Sequence, residues 1–331
     1  MIKVGIIGCG AIYSVHADAI KTLTNACLAG VCDMDLDRAQ AAAEKYECAY
    51  YTDYKEMIKE VDAVHLCLPH YLHAPIAIDC LKSGKAVITE KPMAIKYSDA
   101  VEMVDVSKQT GSPLHVIFQN RFNDGSLLVK GSLDDGRLGK VISARAFVTW
   151  HREADYYSSN DWKGTWDREG GGVIINQSIH TLDLMRWFVG SEIKDIDATM
   201  KNRTIPEIEV EDTAEGMITF ECGAKAFFYA TNGYGNDAPI WLEILCEKGT
   251  ALLTASDAVI TFNDGSSITS SHNADENGVE GKGYWGNSHK IQIENFYNNL
   301  ESGEEIFIPV EEALKTQKMI CDIYEKGRKT L

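Results

Sequence analysis

The first third of the chain alternates short, continuously apolar runs with longer amphipathic segments. The apolar runs have the length of buried strands, and the segments between them repeat apolar residues every three to four positions, as helices do. Strands are predicted over residues 4–8, 27–32, 63–68, 86–89 and 114–118. Helices are predicted over residues 14–21, 36–46, 74–83 and 98–110. This alternation is typical of a parallel sheet covered on both faces, so residues 1–120 are predicted to form a doubly wound α/β domain.

The pattern changes after residue 120. Apolar and polar residues alternate in strands predicted over residues 141–150, 193–200, 213–220, 225–231 and 241–246. Helices are predicted over residues 177–188, 289–300 and 310–326, and a surface loop over residues 263–283. Strands with one polar face indicate a mostly antiparallel sheet. Residues 121–331 are therefore predicted to form a second, α+β domain.

Charge and length narrow the classes of function. The 331 residues suit two domains, and 32 basic against 49 acidic residues give a net charge of −17. Such a chain disfavours nucleic acids and anionic membranes as partners. No apolar run approaches the ~18 residues needed to span a bilayer. The first predicted strand follows Met1 without a charged leader, so a cytoplasmic protein is expected.

The nine cysteines are scattered and form no Cys-x-x-Cys pair. Several stand inside apolar runs, among them Cys32, Cys67 and Cys246. They are interpreted as reduced thiols of the core rather than as disulfides or zinc ligands.

A glycine-rich turn joins the first predicted strand to the first predicted helix. Gly8 and Gly10 fit the first two positions of Gly-x-Gly-x-x-Gly, whereas Tyr13 replaces the third glycine. Such glycines let the backbone approach a pyrophosphate at a helix N-terminus. Asp33 ends the second strand, where a carboxylate accepts both hydroxyls of an adenosine ribose and favours NAD over NADP. An ordinary strand–helix turn with a helix-capping aspartate is the alternative.

The segment Thr89-Glu90-Lys91-Pro92 ends a predicted strand at the sheet edge where ligands bind in this architecture. A bond before proline can be cis, and a cis bond would turn Lys91 into the crevice. Lys91 is therefore a candidate catalytic residue, with a solvated surface lysine as the alternative.

A third segment starts with three glycines, Gly170–Gly172, and continues into a predicted helix. Asn176, His180 and Asp183 have the spacing of one helical face. An imidazole with polar neighbours suits acid–base chemistry near neutral pH. A buried histidine satisfied by hydrogen bonds is the alternative. A metal site is not predicted, because asparagine is a poor ligand and no further His or Cys lies nearby.

In order, the chain contains GIIGCGAI, CLPHYLHAPIAIDCLKSGKAVITEKP and WKGTWDREGGGVIINQSIHTLDLMRW. These segments resemble the glucose–fructose oxidoreductase/inositol dehydrogenase/MocA family of nicotinamide-dependent dehydrogenases, and the resemblance covers essentially the whole chain. Glu-Lys-Pro and Gly-Gly-Gly…His-x-x-Asp are its specific parts. The resemblance implies a Rossmann NAD(P)-binding domain over residues 1–120. Over residues 121–331 it implies a substrate-binding and oligomerisation domain with a large open sheet.

The resemblance also implies roles for individual residues. Lys91 would hydrogen-bond the reacting hydroxyl, and His180 would act as acid–base. The implied cofactor contacts are Gly8, Gly10, Ala11, Ile12, Asp33, Leu68, Pro69, His70, His73, Glu90, Lys91, Asn120, Trp162 and Lys163. The implied substrate contacts are Lys91, Arg121, Asn176 and His180. His70 stands where the family more often has asparagine. Asn176, also a candidate catalytic residue, stands where many members have an aspartate that stabilises the imidazolium.

The expected activity is oxidation of a secondary hydroxyl of a sugar, inositol or sugar derivative, with hydride transfer to nicotinamide. NAD is the expected cofactor, and NADP is possible. A sugar-nucleotide dehydrogenase and a non-catalytic, cofactor-sensing regulator of the same fold are the alternatives. A homodimer or homotetramer is expected, because open antiparallel sheets of this kind often pair face to face.

Overall fold

The computed structural model describes residues 1–270, 288–303 and 307–330. The chain divides into two compact units. The first comprises Met1–Gln119 and His289–Gln317, and the second comprises Asn120–Ser288 and Lys318–Leu331. A single boundary at residue 120, as predicted from the sequence, does not include this return of the chain to the first unit.

The first unit contains a six-stranded, fully parallel sheet in the order β3-β2-β1-β4-β5-β6. Its strands are β1 (Ile2–Ile7), β2 (Ala26–Cys32), β3 (Ala49–Tyr51), β4 (Ala63–Leu66), β5 (Ala86–Thr89) and β6 (Leu114–Val116). Its helices up to β6 are α1 (Tyr13–Lys21), α2 (Leu36–Tyr46), α3 (Tyr54–Met57), α4 (His70–Lys82) and α5 (Tyr97–Thr110). The predicted doubly wound α/β fold is confirmed. The sequence pattern missed β3 and α3, which have only three and four residues.

The second unit contains an eight-stranded sheet in the order β14-β13-β12-β11-β7-β10-β9-β8. All neighbouring strands are antiparallel except β7 and β10, which run parallel. The strands are β7 (Val141–Thr149), β8 (Ile193–Lys201), β9 (Thr213–Phe220), β10 (Lys225–Thr231), β11 (Trp241–Cys246), β12 (Gly249–Thr254), β13 (Asp257–Phe262) and β14 (Ser267–Thr269). The predicted mostly antiparallel sheet is confirmed.

Three helices precede β8 in the second unit, and two more follow the sheet along the chain. The first three are α6 (Asp124–Asp134), α7 (Ala154–Ser158) and α8 (Ile179–Val189). The last two are α9 (Ser288–Ser302) and α10 (Val310–Gly327), and short 3₁₀ helices span Gln119–Phe122 and Arg328–Thr330. β14 lies in the loop predicted over residues 263–283, so that prediction is wrong for Ser267–Thr269. Residues 271–283 of that loop lie outside the described residues.

Helix α9 explains why the chain returns to the first unit. Gln292 accepts a hydrogen bond from the Phe118 backbone N–H (3.1 Å) and donates one to the Val116 carbonyl (2.9 Å). The helix is therefore hydrogen-bonded to the backbone at the end of β6. Phe296 and Tyr297 are fully buried in the core of the parallel sheet. The sequence pattern predicts such an amphipathic helix but does not say which sheet it covers.

Candidate active site

The β1–α1 turn is fixed by backbone hydrogen bonds to the end of β2. The Gly8 N–H donates to the Cys32 carbonyl (2.7 Å), and the Cys9 N–H donates to Asp33 Oδ2 (2.9 Å). Gly8 has a φ of +96°, and a Cβ there would lie 2.3 Å from the Cys67 carbonyl oxygen. A Cβ at Gly10 would meet nothing within 4 Å. Gly8 is therefore required by the fold, whereas Gly10 is not.

The helix N-terminus behind this turn is accessible. Gly10 and Ala11 are exposed, Ile12 is half-buried, and α1 begins at Tyr13. Tyr13 packs its ring edge-on against Tyr46 of α2, with 6.0 Å between the ring centroids. This contact gives a structural reason for an aromatic residue where the dinucleotide-binding pattern has a third glycine.

The Asp33 carboxylate is held at the carboxyl end of β2. Besides the Cys9 N–H, it accepts the Asp35 N–H on Oδ1 (2.9 Å). Arg38 Nε lies 3.8 Å from the same oxygen. Two backbone donors therefore orient the carboxylate beside the glycine turn, which is the place predicted for a ribose-binding acid.

Replacing Gly10 by alanine is expected to leave the fold intact and to raise the Kd for NADH about tenfold or more, because the methyl group blocks close approach of a pyrophosphate. Fluorescence titration and thermal unfolding measure the two effects. Gly131→Ala on α6, where a Cβ also meets nothing within 4 Å, is the matched control. Gly8→Ala should instead destabilise the fold by roughly 1–3 kcal/mol. An unchanged Kd in Gly10→Ala would contradict the proposed pyrophosphate position.

The loop after β4 and the first turn of α4 carry four of the predicted cofactor contacts. Leu68 and Pro69 follow the strand, and His70 begins α4 at once. The ring nitrogens of fully buried His73 lie 2.6 and 2.9 Å from the carbonyl oxygens of Pro92 and Leu68. Burial lowers the pKa of His73, and these two carbonyls oppose that shift. His73 thus ties the β4–α4 loop to the Pro92 loop.

A buried network of histidines holds Glu90, which follows β5. Glu90 Oε1 lies 3.0 Å from His16 Nε2 and 3.3 Å from His289 Nε2. His16 Nδ1 lies 2.8 Å from His65 Nδ1, and His65 Nε2 lies 2.8 Å from the Tyr297 hydroxyl. One consistent set of tautomers lets Tyr297 donate to His65, His65 to His16, and His16 to Glu90.

The contacts of this histidine network determine which of its side chains are charged. Burial lowers the pKa of His16 and of His65, so both rings are neutral. Burial alone would raise the pKa of Glu90, but hydrogen bonds from His16 and His289 hold it well below its usual range. Among the described residues, His16, Glu90 and His289 form the one cluster of ligand-type side chains close enough to hold a metal ion. No local sequence pattern marks this cluster, because its members are far apart in the chain.

Lys91 stands next to this network at the carboxyl edge of the parallel sheet. Its backbone N–H donates to Glu90 Oε2 (3.2 Å), its side chain is half-buried, and the Lys91–Pro92 bond is cis. The backbone at Lys91 is therefore fixed by an ionised, buried carboxylate.

In the second unit, two of the three glycines, Gly171 and Gly172, allow a close approach of other residues to the backbone. A Cβ at Gly171 would lie 2.0 Å from the Tyr324 hydroxyl, and one at Gly172 would lie 1.9 Å from the Glu211 carbonyl oxygen. The Glu211 carboxylate accepts the N–H groups of Gly172 and Ile174 and the Tyr324 hydroxyl (2.7 Å). The expected tight backbone at the glycines is thus present.

The prediction that Asn176 shares a helical face with His180 and Asp183 is wrong. Asn176 precedes the helix that carries the other two residues. Its N–H donates to the Gly172 carbonyl, and the Ser178 N–H reaches back to Val173. Because Glu211 binds the N–H groups at the start of this segment, residues 173–178 form a turn and α8 begins only at Ile179. His180 is half-buried in the first turn of α8.

The Asn176 side chain instead contacts Glu169, which the sequence analysis did not single out. Asn176 Nδ2 donates to Glu169 Oε1 (2.6 Å), and the Gly164 N–H donates to Glu169 Oε2 (2.5 Å). Burial raises the pKa of Glu169 to about 7, although the two hydrogen bonds oppose the shift. A glutamate that follows Arg168 in a polar stretch carries no sequence signal of burial.

Arg121 and Asp183 form a buried ion pair in the second unit. Arg121 Nε and Nη2 each donate to one Asp183 oxygen at 2.7 Å, and both side chains are 1% exposed. The guanidinium also lies over the Trp187 ring, 5.0 Å from its centroid. These contacts give Arg121 a structural role, and its contact with substrate stays a prediction from the resemblance.

The remaining predicted cofactor contacts also belong to the second unit. Asn120 is half-buried in the 3₁₀ helix Gln119–Phe122. Trp162 and Lys163 are half-buried, and Lys163 Nζ lies 3.6 Å from the centroid of the Tyr156 ring. Lys163 therefore contacts an aromatic ring of its own segment.

A parallel sheet of this strand order, with a glycine turn and an acid at its carboxyl edge, defines a dinucleotide-binding protein. Comparison with known proteins gives the family. Residues 2–118 match the model of the GFO/IDH/MocA oxidoreductase family with an NAD-binding Rossmann fold, and residues 127–252 match the C-terminal domain of that family. The chain belongs to this family, as the resemblance implied.

Three relatives illustrate the range of similarity. An inositol 2-dehydrogenase of Rubrobacter xylanophilus is 30% identical over 259 residues, which cover 75% of this chain and 70% of the relative. A myo-inositol 2-dehydrogenase of Thermotoga maritima is 27% identical over 91% of this chain and 89% of its own. The WlbA dehydrogenase of Bordetella pertussis, solved with NADH and UDP-GlcNAcA, superimposes with a TM-score of 0.86. It is 28% identical and covers 100% of this chain and 97% of that chain.

Proposed function

We propose that this protein is an NAD-dependent dehydrogenase that oxidises a secondary hydroxyl of a sugar, inositol or sugar derivative. The observation that carries the proposal is Lys91, held by buried Glu90 at the carboxyl edge of an NAD-binding sheet. A lysine there meets the chemical need of alcohol oxidation, in which negative charge develops on the reacting oxygen.

The residues of the first unit fit a dinucleotide. The N-terminus of α1 is accessible behind Gly10, where no Cβ obstructs a pyrophosphate, and the Asp33 carboxylate is oriented beside it. When bound, NAD supplies the hydride acceptor. Asp33 would repel a 2′-phosphate, which supports NAD as the preferred cofactor over NADP.

We assign the transfer of the proton of the reacting hydroxyl to Lys91 and His180. A C–H bond gives up hydride only as the neighbouring hydroxyl loses its proton, so a base and a stabiliser of the alkoxide are both required. His180 would accept the proton, directly or through Lys91, and the Lys91 ammonium would stabilise the alkoxide. Asn176 would hydrogen-bond the substrate or orient His180.

The substrate class is supported by the relatives. Two of them carry the names inositol 2-dehydrogenase and myo-inositol 2-dehydrogenase, which favours a cyclic polyol. The second candidate is a sugar nucleotide, because a structure 28% identical to this chain holds UDP-GlcNAcA. A cofactor-sensing regulator is less favoured, since Lys91 and His180 are both present.

The experiment is a rate assay with a panel of substrates. Purified protein is mixed with NAD or NADP and with inositols, free sugars, sugar acids or sugar nucleotides, and the absorbance of reduced nicotinamide is followed. A rise with NAD and one class supports the proposal and names the class. No rise with any class, in protein that binds NADH, favours the regulator.

The outer face of the second unit's sheet supports a homodimer or homotetramer. Apolar side chains are exposed on four of its strands, and Phe147 of β7 stands opposite Trp241 of β11. The exposed set is Ile142, Phe147, Phe227, Trp241, Leu245 and Val259. These apolar side chains surround the Arg145–Glu243 ion pair of the same face. Exposed apolar side chains grouped in this way are typical of an interaction surface. A second copy of this chain is the proposed occupant, since an open sheet face can pair with itself.

Placing a charge on this face should separate the protomers. Phe227→Lys is expected to convert the oligomer to monomer in light-scattering chromatography at micromolar concentration, because it would bury an unpaired ammonium. Glu221→Lys, at an exposed position that precedes β10, introduces the same side chain outside the sheet face and is the control. A wild-type monomer, or an unchanged oligomer in Phe227→Lys, would contradict this surface.

We propose a cytoplasmic location. Cys9, Cys32, Cys67, Cys80 and Cys246 are buried free thiols, as is common in a reducing compartment. Within residues 1–270, 288–303 and 307–330, the helices are all too short or too polar to cross a membrane.

A further inference from the structure

One buried carboxyl joins two segments of the second unit. Glu169 is fully buried, and each of its two carboxylate oxygens accepts a hydrogen bond from a different segment. Oε1 accepts the Asn176 amide at 2.6 Å, and Oε2 accepts the Gly164 N–H at 2.5 Å. Gly164 belongs to the segment that contains Trp162 and Lys163. Glu169 therefore holds this segment and the Asn176 turn at one point.

The same contacts fix the orientation of the Asn176 amide. An ionised carboxylate only accepts hydrogen bonds, so the Nδ2 side of Asn176 must face Glu169. With Nδ2 engaged in this way, Oδ1 is the atom that the side chain presents as an acceptor.

We propose that Glu169 is a positioning residue of the active site, which fixes Asn176 so that Oδ1 serves as hydrogen-bond acceptor for the substrate or for His180. This inference rests on the proposed dehydrogenase function. It goes beyond the roles that the resemblance implies, none of which involves Glu169.

The orientation depends on the charge of Glu169. Burial raises its pKa to about 7; the Gly164 N–H, the Asn176 amide and Lys163 oppose this shift, and Glu211 adds to it. The other titratable groups near it are Tyr156, Tyr157 and Tyr324, which stay neutral because burial raises the pKa of each. A protonated Glu169 can donate to Asn176 Oδ1, and the amide then turns its Nδ2 outward. The acceptor form therefore predominates above about pH 7.

Exchanging the carboxylate and the amide between positions 169 and 176 tests the proposal. In Glu169→Gln, the new Oε1 accepts the Gly164 N–H and the new Nε2 faces Asn176, whose Oδ1 must turn inward. We expect kcat/KM to fall about 10- to 10²-fold and to lose the part of its pH dependence centred near 7. In the double variant Glu169→Gln, Asn176→Asp, the new amide donates to one oxygen of the new carboxylate, and the other oxygen of that carboxylate takes the place of Oδ1. The double variant should recover most of kcat/KM.

The single variant Asn176→Asp gives a readout that requires no turnover. Two carboxyl oxygens about 2.6 Å apart cannot both be ionised, so its melting temperature should fall more steeply than that of the wild type as the pH rises from 6 to 8. Glu169→Gln in the same background should remove this fall. Glu207→Gln, at an exposed position of the same unit, is the control for loss of a carboxylate.

The outcomes separate the two proposals. A folded Glu169→Gln variant with the wild-type kcat/KM and pH profile, or a double variant no more active than Glu169→Gln, overturns the positioning role. A wild-type protein that transfers no hydride to NAD overturns the proposed function, and the positioning role with it. In that case, the melting curves still decide whether the Glu169–Asn176 contact exists.

Discussion

Lys91→Met is expected to lower kcat by about 10³-fold or more while the Kd for NADH stays near that of the wild type. The ammonium is assigned to the developing alkoxide, and loss of a single donor to such a charge costs on the order of 10²- to 10³-fold. Loss of the lysine as a proton carrier adds to this. Methionine keeps the length and the apolar stem of the side chain, and the backbone N–H at position 91 can still donate to Glu90.

Steady-state rates and NADH titration on the same preparation measure the effect. Lys96→Met removes an exposed lysine five positions further on and should leave kcat unchanged. Lys91→Arg keeps the charge but not the point geometry of the ammonium, so partial activity is expected. Near-normal turnover in Lys91→Met with the cofactor bound would show that the lysine does not act on the reacting oxygen.

His180→Ala is expected to lower kcat by roughly 10²- to 10⁴-fold, which is the usual contribution of a general base. The half-buried position in the first turn of α8 lets the residue be truncated at little cost in stability. The reduction should appear in kcat as well as in kcat/KM, because the proton is removed in the transition state.

His151→Ala, at an exposed histidine of the same unit, is the control and should keep wild-type rates. His180→Asn separates proton transfer from hydrogen bonding, because the amide can bind a hydroxyl but cannot take its proton. If His180→Ala raised only KM, the residue would position the substrate and another group would be the base.

Local signals predicted the edge of the parallel sheet well. The strand Ala86–Thr89 ends where the sequence places it, so Glu90 and Lys91 fall at the expected edge. The reason is that a short apolar run bounded by charged residues and proline has few other ways to fold. The glycine turn and Asp33 follow from the same kind of local pattern.

The prediction that Asn176 lies on a helix was wrong because a residue distant in the chain determines the local backbone conformation. Glu211 binds the backbone N–H groups of Gly172 and Ile174 from 39 and 37 residues away. The backbone therefore continues as a turn until Ser178. A spacing of four residues indicates a shared helical face only when both residues lie within the helix.

The histidine network around Glu90 could not be found from the sequence for a similar reason. His16 and His65 are separated by 49 residues, and His289 is 199 residues from Glu90. Their contacts depend on the strand order of the sheet and on the return of α9, neither of which leaves a local signal. Glu169 was missed because its burial depends on the Trp162–Trp166 segment and the Asn176 turn meeting.

The most direct test of the account follows the hydride itself. The substrate that the panel identifies is prepared with deuterium on the carbon that carries the reacting hydroxyl, and the reduced cofactor is analysed by mass spectrometry. We expect one deuterium in each reduced nicotinamide formed by the wild type, and almost no product from Lys91→Met. Reduced cofactor without deuterium, or no reduction by protein that binds NADH, would contradict the assignment as a dehydrogenase acting on that CH–OH group.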